Sequence, residues 1–204
     1  MKQLALRLSP PPQPALDNFV PGANAELLAR LREFQAGEFP ETVLYLWGES
    51  GSGKSHLLRA CGAPRAGACP VVVDDVESLS QESQMELFNA VNEARQSGGR
   101  ILAAGNAPPA QLPLREDLRS RLAWGLVYQV KPLTDEERAL FLRGEAERRG
   151  MRVADEVVDY LLSHVRRDPR SLTAILDELD RASLESQRRI TLALVRETLK
   201  ALEG

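Results

Sequence analysis

Two hydrophobic periods alternate along the first 130 or so residues of the chain. Continuous apolar runs of strand length lie at Thr42–Trp47, Pro70–Asp75, Arg100–Ala104 and Leu126–Val130. Each is bounded by turn or polar residues and reads as a buried strand. Between them, apolar residues recur three and four apart. Leu27, Leu28, Leu31 and Phe34 follow Asn24 as a helix cap and stop at Gly37; Met85, Leu87, Phe88, Val91 and Ala94 follow Ser80 and stop at Gly98-Gly99. Shorter helices are expected over Lys54–Cys61 and Leu114–Leu122. Strands alternating with helices predict an α/β fold with a parallel sheet and right-handed crossovers.

From Lys131 onward the period is helical throughout. Thr134 and Glu137 form a capping box ahead of Leu140 and Phe141. Further helices carry Val157, Leu161 and Val165, then Leu172, Ile175, Leu176 and Leu179, then Leu192–Leu202. The expected plan is therefore a sheet domain over residues 16–131 and a small helical lid over 132–204, with Pro132 at the boundary. Residues 1–15 differ from both. Leu4, Leu6 and Leu8 alternate as in an extended peptide, and Pro10-Pro11-Pro12 with Pro14 make a stiff spacer. This segment reads as a tethered peptide tail; an edge strand folded back and a disordered terminus are the blander readings.

Composition narrows the setting. At 204 residues, with 43% hydrophobic residues and a net charge of −3, the chain supports one core and a small appendage. No apolar run approaches the ~20 residues of a membrane helix, and no secretory h-region is present, so a membrane partner is not expected. Cys61 and Cys69 make neither a disulfide framework nor a C-x-x-C pair, which fits a reducing cytoplasm. The mild acidity argues against a large nucleic-acid footprint. His56 and His164 have no ligand spacing with each other or with the cysteines, so no metal beyond magnesium is assigned. Trp47 and Trp124 read as packing residues, with Trp124 flanking Arg121.

The candidate chemistry starts where Thr42–Trp47 runs into Gly48-Glu49-Ser50-Gly51-Ser52-Gly53-Lys54-Ser55. This fits G-x-x-x-x-G-K-[ST] at every fixed position. Gly48, Gly51 and Gly53 free the backbone to wrap its N–H groups, with that of Ser52, around a phosphate chain. The helix that follows directs its positive end at the same anion. Lys54 reaches the outer phosphates, the Ser55 hydroxyl ligates magnesium, and His56 lies in the next position. The run Val71-Val72-Val73 ends at Asp74-Asp75, at a strand end facing the same crevice. Asp74 is placed to hold the magnesium water shell, and Asp75 to orient or deprotonate an attacking water. Asn106 is a polar residue at another strand end.

These features, with a following arginine cluster and a helical lid, resemble the AAA+ superfamily. The likeness sharpens at Asp17-Asn18-Phe19-Val20-Pro21-Gly22, Val73-Asp74-Asp75-Val76, Ser120-Arg121-Leu122-Ala123-Trp124-Gly125 and Asp168-Pro169-Arg170-Ser171-Leu172, which are similar to the initiator DnaA. The flanking domains of DnaA are missing, and Gln3-Leu4-Ala5-Leu6-Arg7-Leu8 precedes what remains, so the resemblance is to the Hda family of DnaA-related regulators. That resemblance implies that Asn18, Phe19 and Val20 border the adenine of ADP or ATP. It implies that Lys54, Ser55 and Asp74 hold phosphates and Mg2+, that Asn106 is sensor 1, and that Arg170 is the sensor 2 arginine. It makes Arg121 an arginine finger acting in trans, with Arg115 and Arg119 as the nearest alternatives. Gln3, Leu4, Leu6 and Leu8 would dock on the DNA polymerase sliding clamp.

One departure stands out. Most AAA+ domains carry a further strand and helix between the P-loop helix and the Val71–Asp75 strand, but here only about sixteen residues separate Ser55 from Val71. A full excursion does not fit, which leaves that strand as a candidate sheet edge. No Lys or Arg occurs between Asp74 and Glu93, so a basic track for single-stranded DNA is missing there. The leading expectation is a cytoplasmic, replisome-associated bacterial regulator with weak or no ATPase activity of its own. It would dock on the clamp, present Arg121 to ATP held by DnaA, and bind no DNA sequence directly. A self-contained ATPase, a helicase loader or remodeller, is the rival from another class, and a small-molecule kinase ranks last. ADP versus ATP stays open at this stage, as does monomer, homodimer or clamp-driven assembly.

Overall fold

Four short apolar runs pair side by side in parallel: β1 (Val43–Trp47), β2 (Val71–Val73), β3 (Ile101–Gly105) and β4 (Leu126–Gln129), in the order β2-β3-β1-β4. The computed structural model describes residues 13–62, 69–165 and 169–203. These fall into two compact units that divide in sequence after Pro132. In the first unit, register places Val43 beside Ile101, Leu44 beside Leu126 and Val71 beside Ile101. Alternate residues of β1 feed two separate cores, as the two-residue period of a strand requires. Leu44 and Leu46 pack with α1 (Ala25–Ala36) and α2 (Lys54–Gly62), while Val43 and Tyr45 pack with α3 (Gln81–Ser97) and α4 (Glu116–Ala123). The sheet is covered on both faces, which is why its central strands are apolar without interruption.

The run expected over Pro70–Asp75 is a strand only over Val71–Val73. It ends early because Asp75 takes a left-handed φ of 48° and opens a 3-10 turn, Val76–Ser78. Among the described residues β2 is an edge of the sheet, and Val71 and Val72 stay 42% and 37% exposed. Ser80 caps α3, accepting the N–H of Ser83 at 3.2 Å. Asn24 does not cap α1 with its side chain. Its buried amide instead donates to the Lys131 carbonyl at 2.9 Å and accepts the Lys131 N–H at 2.8 Å, fixing the chain beyond β4.

Gly125 joins α4 to β4 at a point where no side chain fits. A Cβ there would sit against the Val43 carbonyl oxygen, far inside van der Waals contact, and 2.8 Å from the Val43 Cβ. Gly125→Ala is therefore expected to push β4 away from β1. Overpacking of this kind costs about 1–3 kcal/mol, and each kcal/mol lowers the melting temperature of a chain this size by ~2–4 °C. A thermal melt by circular dichroism measures it, and an unchanged midpoint is incompatible with this approach.

Among the described residues the second unit holds four helices, α5 (Asp135–Arg148), α6 (Asp155–His164), α7 (Pro169–Ser186) and α8 (Leu192–Glu203). Thr134 and Glu137 form a capping box at the start of α5, with bonds of 3.2 and 2.7 Å. Leu142, Val158, Leu161, Leu172, Leu176 and Val195 meet in its core. The buried Glu145 carboxylate accepts from Arg148 and Arg149, and Arg149 reaches Asp177 of α7 at 3.2 Å. Among the described residues no helix is long and apolar enough to cross a membrane.

Candidate nucleotide-binding site

β1 delivers the chain to Gly48 at the carboxyl edge of the sheet, and α2 begins at Lys54. Gly51 and Gly53 take positive φ of 81° and 101°, which turns the loop back over its own start. At Gly53 the missing side chain is also a matter of space, because a Cβ would lie 2.6 Å from the Phe19 ring. Lys54 is 8% exposed, and its ammonium donates to the carbonyls of Gly48 at 2.8 Å and Glu49 at 3.0 Å. Inside the same loop the Ser52 hydroxyl is buried and has no hydrogen-bond partner among the described residues. A buried cation, an orphan hydroxyl and a loop wound through positive φ fit an anion with several oxygens.

The segment before α1 lies against the start of α2. Asn18 is used locally: its carbonyl oxygen accepts the Ala15 N–H at 3.0 Å and its amide donates to the Gln13 carbonyl at 2.8 Å. Phe19 faces the half-buried His56 ring at 5.8 Å between centroids, and His56 Nε2 lies 3.0 Å from the Ala15 carbonyl. Val20 is half-buried beside them. Phe19, His56 and the open face of Gly53 thus form an aromatic flank to the phosphate loop.

Ser55 stands in the first turn of α2, and Asp74 just past β2, both at the carboxyl edge of the parallel sheet. Two oxygens of this kind suit a magnesium ion, which keeps most of its waters and takes few protein ligands. The Asp74 carboxylate accepts the Asp75 N–H at 3.1 Å, and the Asp75 carbonyl accepts the Ser78 hydroxyl at 2.7 Å. This leaves the exposed Asp75 carboxylate directed by a strained, left-handed backbone. Asn106 follows β3 and is exposed, and its N–H donates to Glu77 at 3.3 Å.

Two residues here carry no motif in the sequence. Glu77 holds the Asn106 loop to the segment after β2, and Tyr45, fully buried in β1, donates to the Ala107 carbonyl at 2.9 Å. Burial pushes the Tyr45 phenol well above its ordinary pKa, and the neighbouring Glu77 charge adds to the shift, so it remains a donor. The signal that could have pointed to Tyr45 is a hydroxyl in the middle of an apolar strand, which needs a partner.

Of the three α4-region arginines only Arg115 is ion-paired among the described residues, while Arg119 and Arg121 each keep a buried Nε without a partner. Arg115 binds the Asp117 carboxylate at 2.6 Å, and Arg119 donates to the Ala110 carbonyl at 3.3 Å. Arg121 makes no ion pair among the described residues and lies 3.7 Å from the Trp124 ring centroid. The Arg170 backbone belongs to the first turn of α7 in the helical unit. Asp168 and the tail residues Gln3, Leu4, Leu6 and Leu8 lie outside the described residues.

A parallel sheet with a P-loop, paired strand-end acids and a separate helical unit defines an AAA+ fold with a lid. Residues 135–199 match the family model for the lid domain of Hda. The fold as a whole is similar to domain III of the replication initiation protein DnaA from Thermotoga maritima, at 23% identity over 95% of this chain and 98% of that one, with a TM-score of 0.75. AMPPCP-bound DnaA from Aquifex aeolicus matches at 21% identity over 82% and 65%, TM-score 0.70. The RuvB Holliday junction branch migration motor of Thermotoga maritima matches at 18% over 94% and 72%, TM-score 0.69. The helical unit thus matches the Hda lid domain, and the chain as a whole has the fold of DnaA domain III.

Proposed function

We propose that the chain is a nucleotide-bound regulator of replication initiation that docks on the sliding clamp and supplies Arg121 in trans to ATP held by DnaA. In this reading residues 1–15 are the clamp-binding tail, 16–131 the nucleotide domain and 132–204 the lid. The observation that carries it is the state of Arg121, which is stacked on the Trp124 ring and meets no carboxylate among the described residues, on a chain that also holds a nucleotide cradle at the other end of β1. The Hda-type lid and the DnaA-like fold support DnaA as the partner. Nucleotide enters by the same route: the DnaA relative carries AMPPCP, and here ADP or ATP would meet Lys54, the Ser52 hydroxyl and the loop N–H groups. Mg2+ would be held by Ser55 and Asp74 and would neutralise phosphate charge. Phe19, Val20 and His56 would flank the base, whereas Asn18 would act by shaping the Gln13–Asn18 turn.

A clamp tether raises the local concentration of a weakly binding partner without a tight direct contact. The tail assignment predicts that replacing Gln3 and Leu4 together with alanine removes clamp binding while ADP affinity is unchanged. Surface plasmon resonance on immobilised clamp, beside calorimetry with ADP, measures both, and retained clamp binding sinks the tail assignment. The exposed Asp75 carboxylate favours a second reading, an ATPase that turns over its own nucleotide. Phosphate release by the purified chain alone with Mg2+ and ATP, compared with release in the presence of clamp and ATP-loaded DnaA, separates the two.

A further inference from the structure

Trp124 is 52% exposed at the end of α4, a large aromatic ring left open to solvent where a packing residue would be covered. Two cations address it. The Arg121 guanidinium carbon is 3.7 Å from its centroid, the closest cation–ring approach among the described residues, and that of Arg95 is 4.8 Å away. Phe88 lies 5.4 Å from the same Arg121 carbon. Phe88, Val91 and Arg95 recur at helical spacing on α3, so one face of α3 supplies both the second ring and the second cation. Arg121 Nε is buried without a hydrogen-bond partner among the described residues. A cavity of about 300 Å³, lined by Thr42, Arg95, Arg121, Trp124 and Glu41, opens at this point. Although Glu41 lines it, no ion pair joins Glu41 to either arginine among the described residues.

We infer that Trp124 is a positioning residue for Arg121, holding its guanidinium on the indole face, aimed and free of any carboxylate, so that it transfers to an anionic phosphoryl group of a partner-bound nucleotide. The inference rests on the proposed action of Arg121 in trans. A guanidinium bound to a buried carboxylate would be neutralised and costly to extract. A freely solvated one would have to be ordered at the moment of reaction. A stack on an exposed ring fixes direction, yet is weaker than the charge-assisted bidentate contact that a phosphoryl group offers. Arg95, a like charge over the same ring, weakens the stack further and keeps the cavity mouth positive.

The test combines turnover with a direct signature of the stack. In the intact protein the Arg121 Nε–H proton resonance, assigned by its loss in Arg121→Ala, is expected upfield because of the indole ring current. Trp124→Leu and Trp124→Gln should return it to the ordinary arginine position, and Trp124→Phe should keep much of the shift. The maximal rate of clamp-dependent ATP hydrolysis by DnaA should fall about tenfold in Trp124→Leu and recover in Trp124→Phe. The concentration giving half-maximal stimulation should stay within about twofold, since the ring acts on the aim of Arg121 and not on docking. An unshifted resonance in the intact protein overturns the inference without any variant. Loss of stimulation in Arg121→Ala with a full rate in Trp124→Leu and Trp124→Gln overturns it alone. Full rates in Arg121→Ala as well overturn the reading on which it rests.

Discussion

Replacing Arg121 with alanine is expected to abolish the stimulation of partner ATP hydrolysis, by about 10³–10⁵-fold, the usual worth of an arginine that neutralises charge developing on a transferred phosphoryl group. The same change should leave the fold nearly untouched. Arg121 gives up ring contacts to Trp124 at 3.7 Å and Phe88 at 5.4 Å and no ion pair among the described residues, and a cation–π contact is worth about 0.5–1 kcal/mol at an exposed site and about 2 when desolvated. Its two neighbours provide the controls. Arg115 is bound to Asp117 at 2.6 Å and Arg119 to the Ala110 carbonyl at 3.3 Å, so Arg115→Ala and Arg119→Ala should keep most of the stimulated rate. The measurement is single-turnover hydrolysis of ATP preloaded on DnaA, with clamp on DNA and each variant at saturating concentration. A full loss in Arg119→Ala with activity retained in Arg121→Ala would transfer the role to Arg119 and sever it from the Trp124 ring.

Much of this was legible from the residues, and the physical reason differs by element. Gly48–Ser55 was readable because phosphate binding demands particular residue types at fixed spacing, and the loop built from them takes the positive φ values that the glycines allow. The four strands were readable because a parallel sheet buried on both faces leaves almost no polar positions in β1 and β3. The short link from Ser55 to Val71 marked β2 as an edge candidate, and among the described residues it lies at the edge. What escaped the sequence are contacts between distant positions. Asn24 occupies the N-cap position of α1 as expected, yet its side-chain amide brackets Lys131, a partner 107 positions away. Glu77 and Asn106 are joined across the crevice edge, 29 positions apart. Trp124 was expected to pack; its exposed ring is a support for Arg121 and Arg95 because α3 and α4 lie together on one face of the sheet.

Replacing Lys54 with alanine is expected to act on the nucleotide itself, and the magnitude follows from where its ammonium is. The group is buried and already donates to Gly48 and Glu49 at 2.8 and 3.0 Å. Hydrogen bonds from a charged group contribute about 1.5–3 kcal/mol each. Losing the cation therefore removes the phosphate contact and leaves two loop carbonyls without their donor, so ADP affinity should fall ~100-fold or more. Thermal denaturation with ADP gives the readout. At a concentration 100 times the dissociation constant, ADP stabilises the unmodified protein by about 2.7 kcal/mol. With a dissociation constant 100-fold higher, the same concentration stabilises Lys54→Ala by only ~0.4 kcal/mol. An undiminished ADP-dependent rise in melting temperature would remove Lys54 from the site. The pair of variants also decides what the nucleotide is for. If it sets the posture from which Arg121 acts, Lys54→Ala loses both the ADP effect and the stimulation of DnaA, whereas Arg121→Ala loses only the second. A Lys54→Ala protein that still stimulates would make nucleotide binding and the action of Arg121 independent properties of one fold.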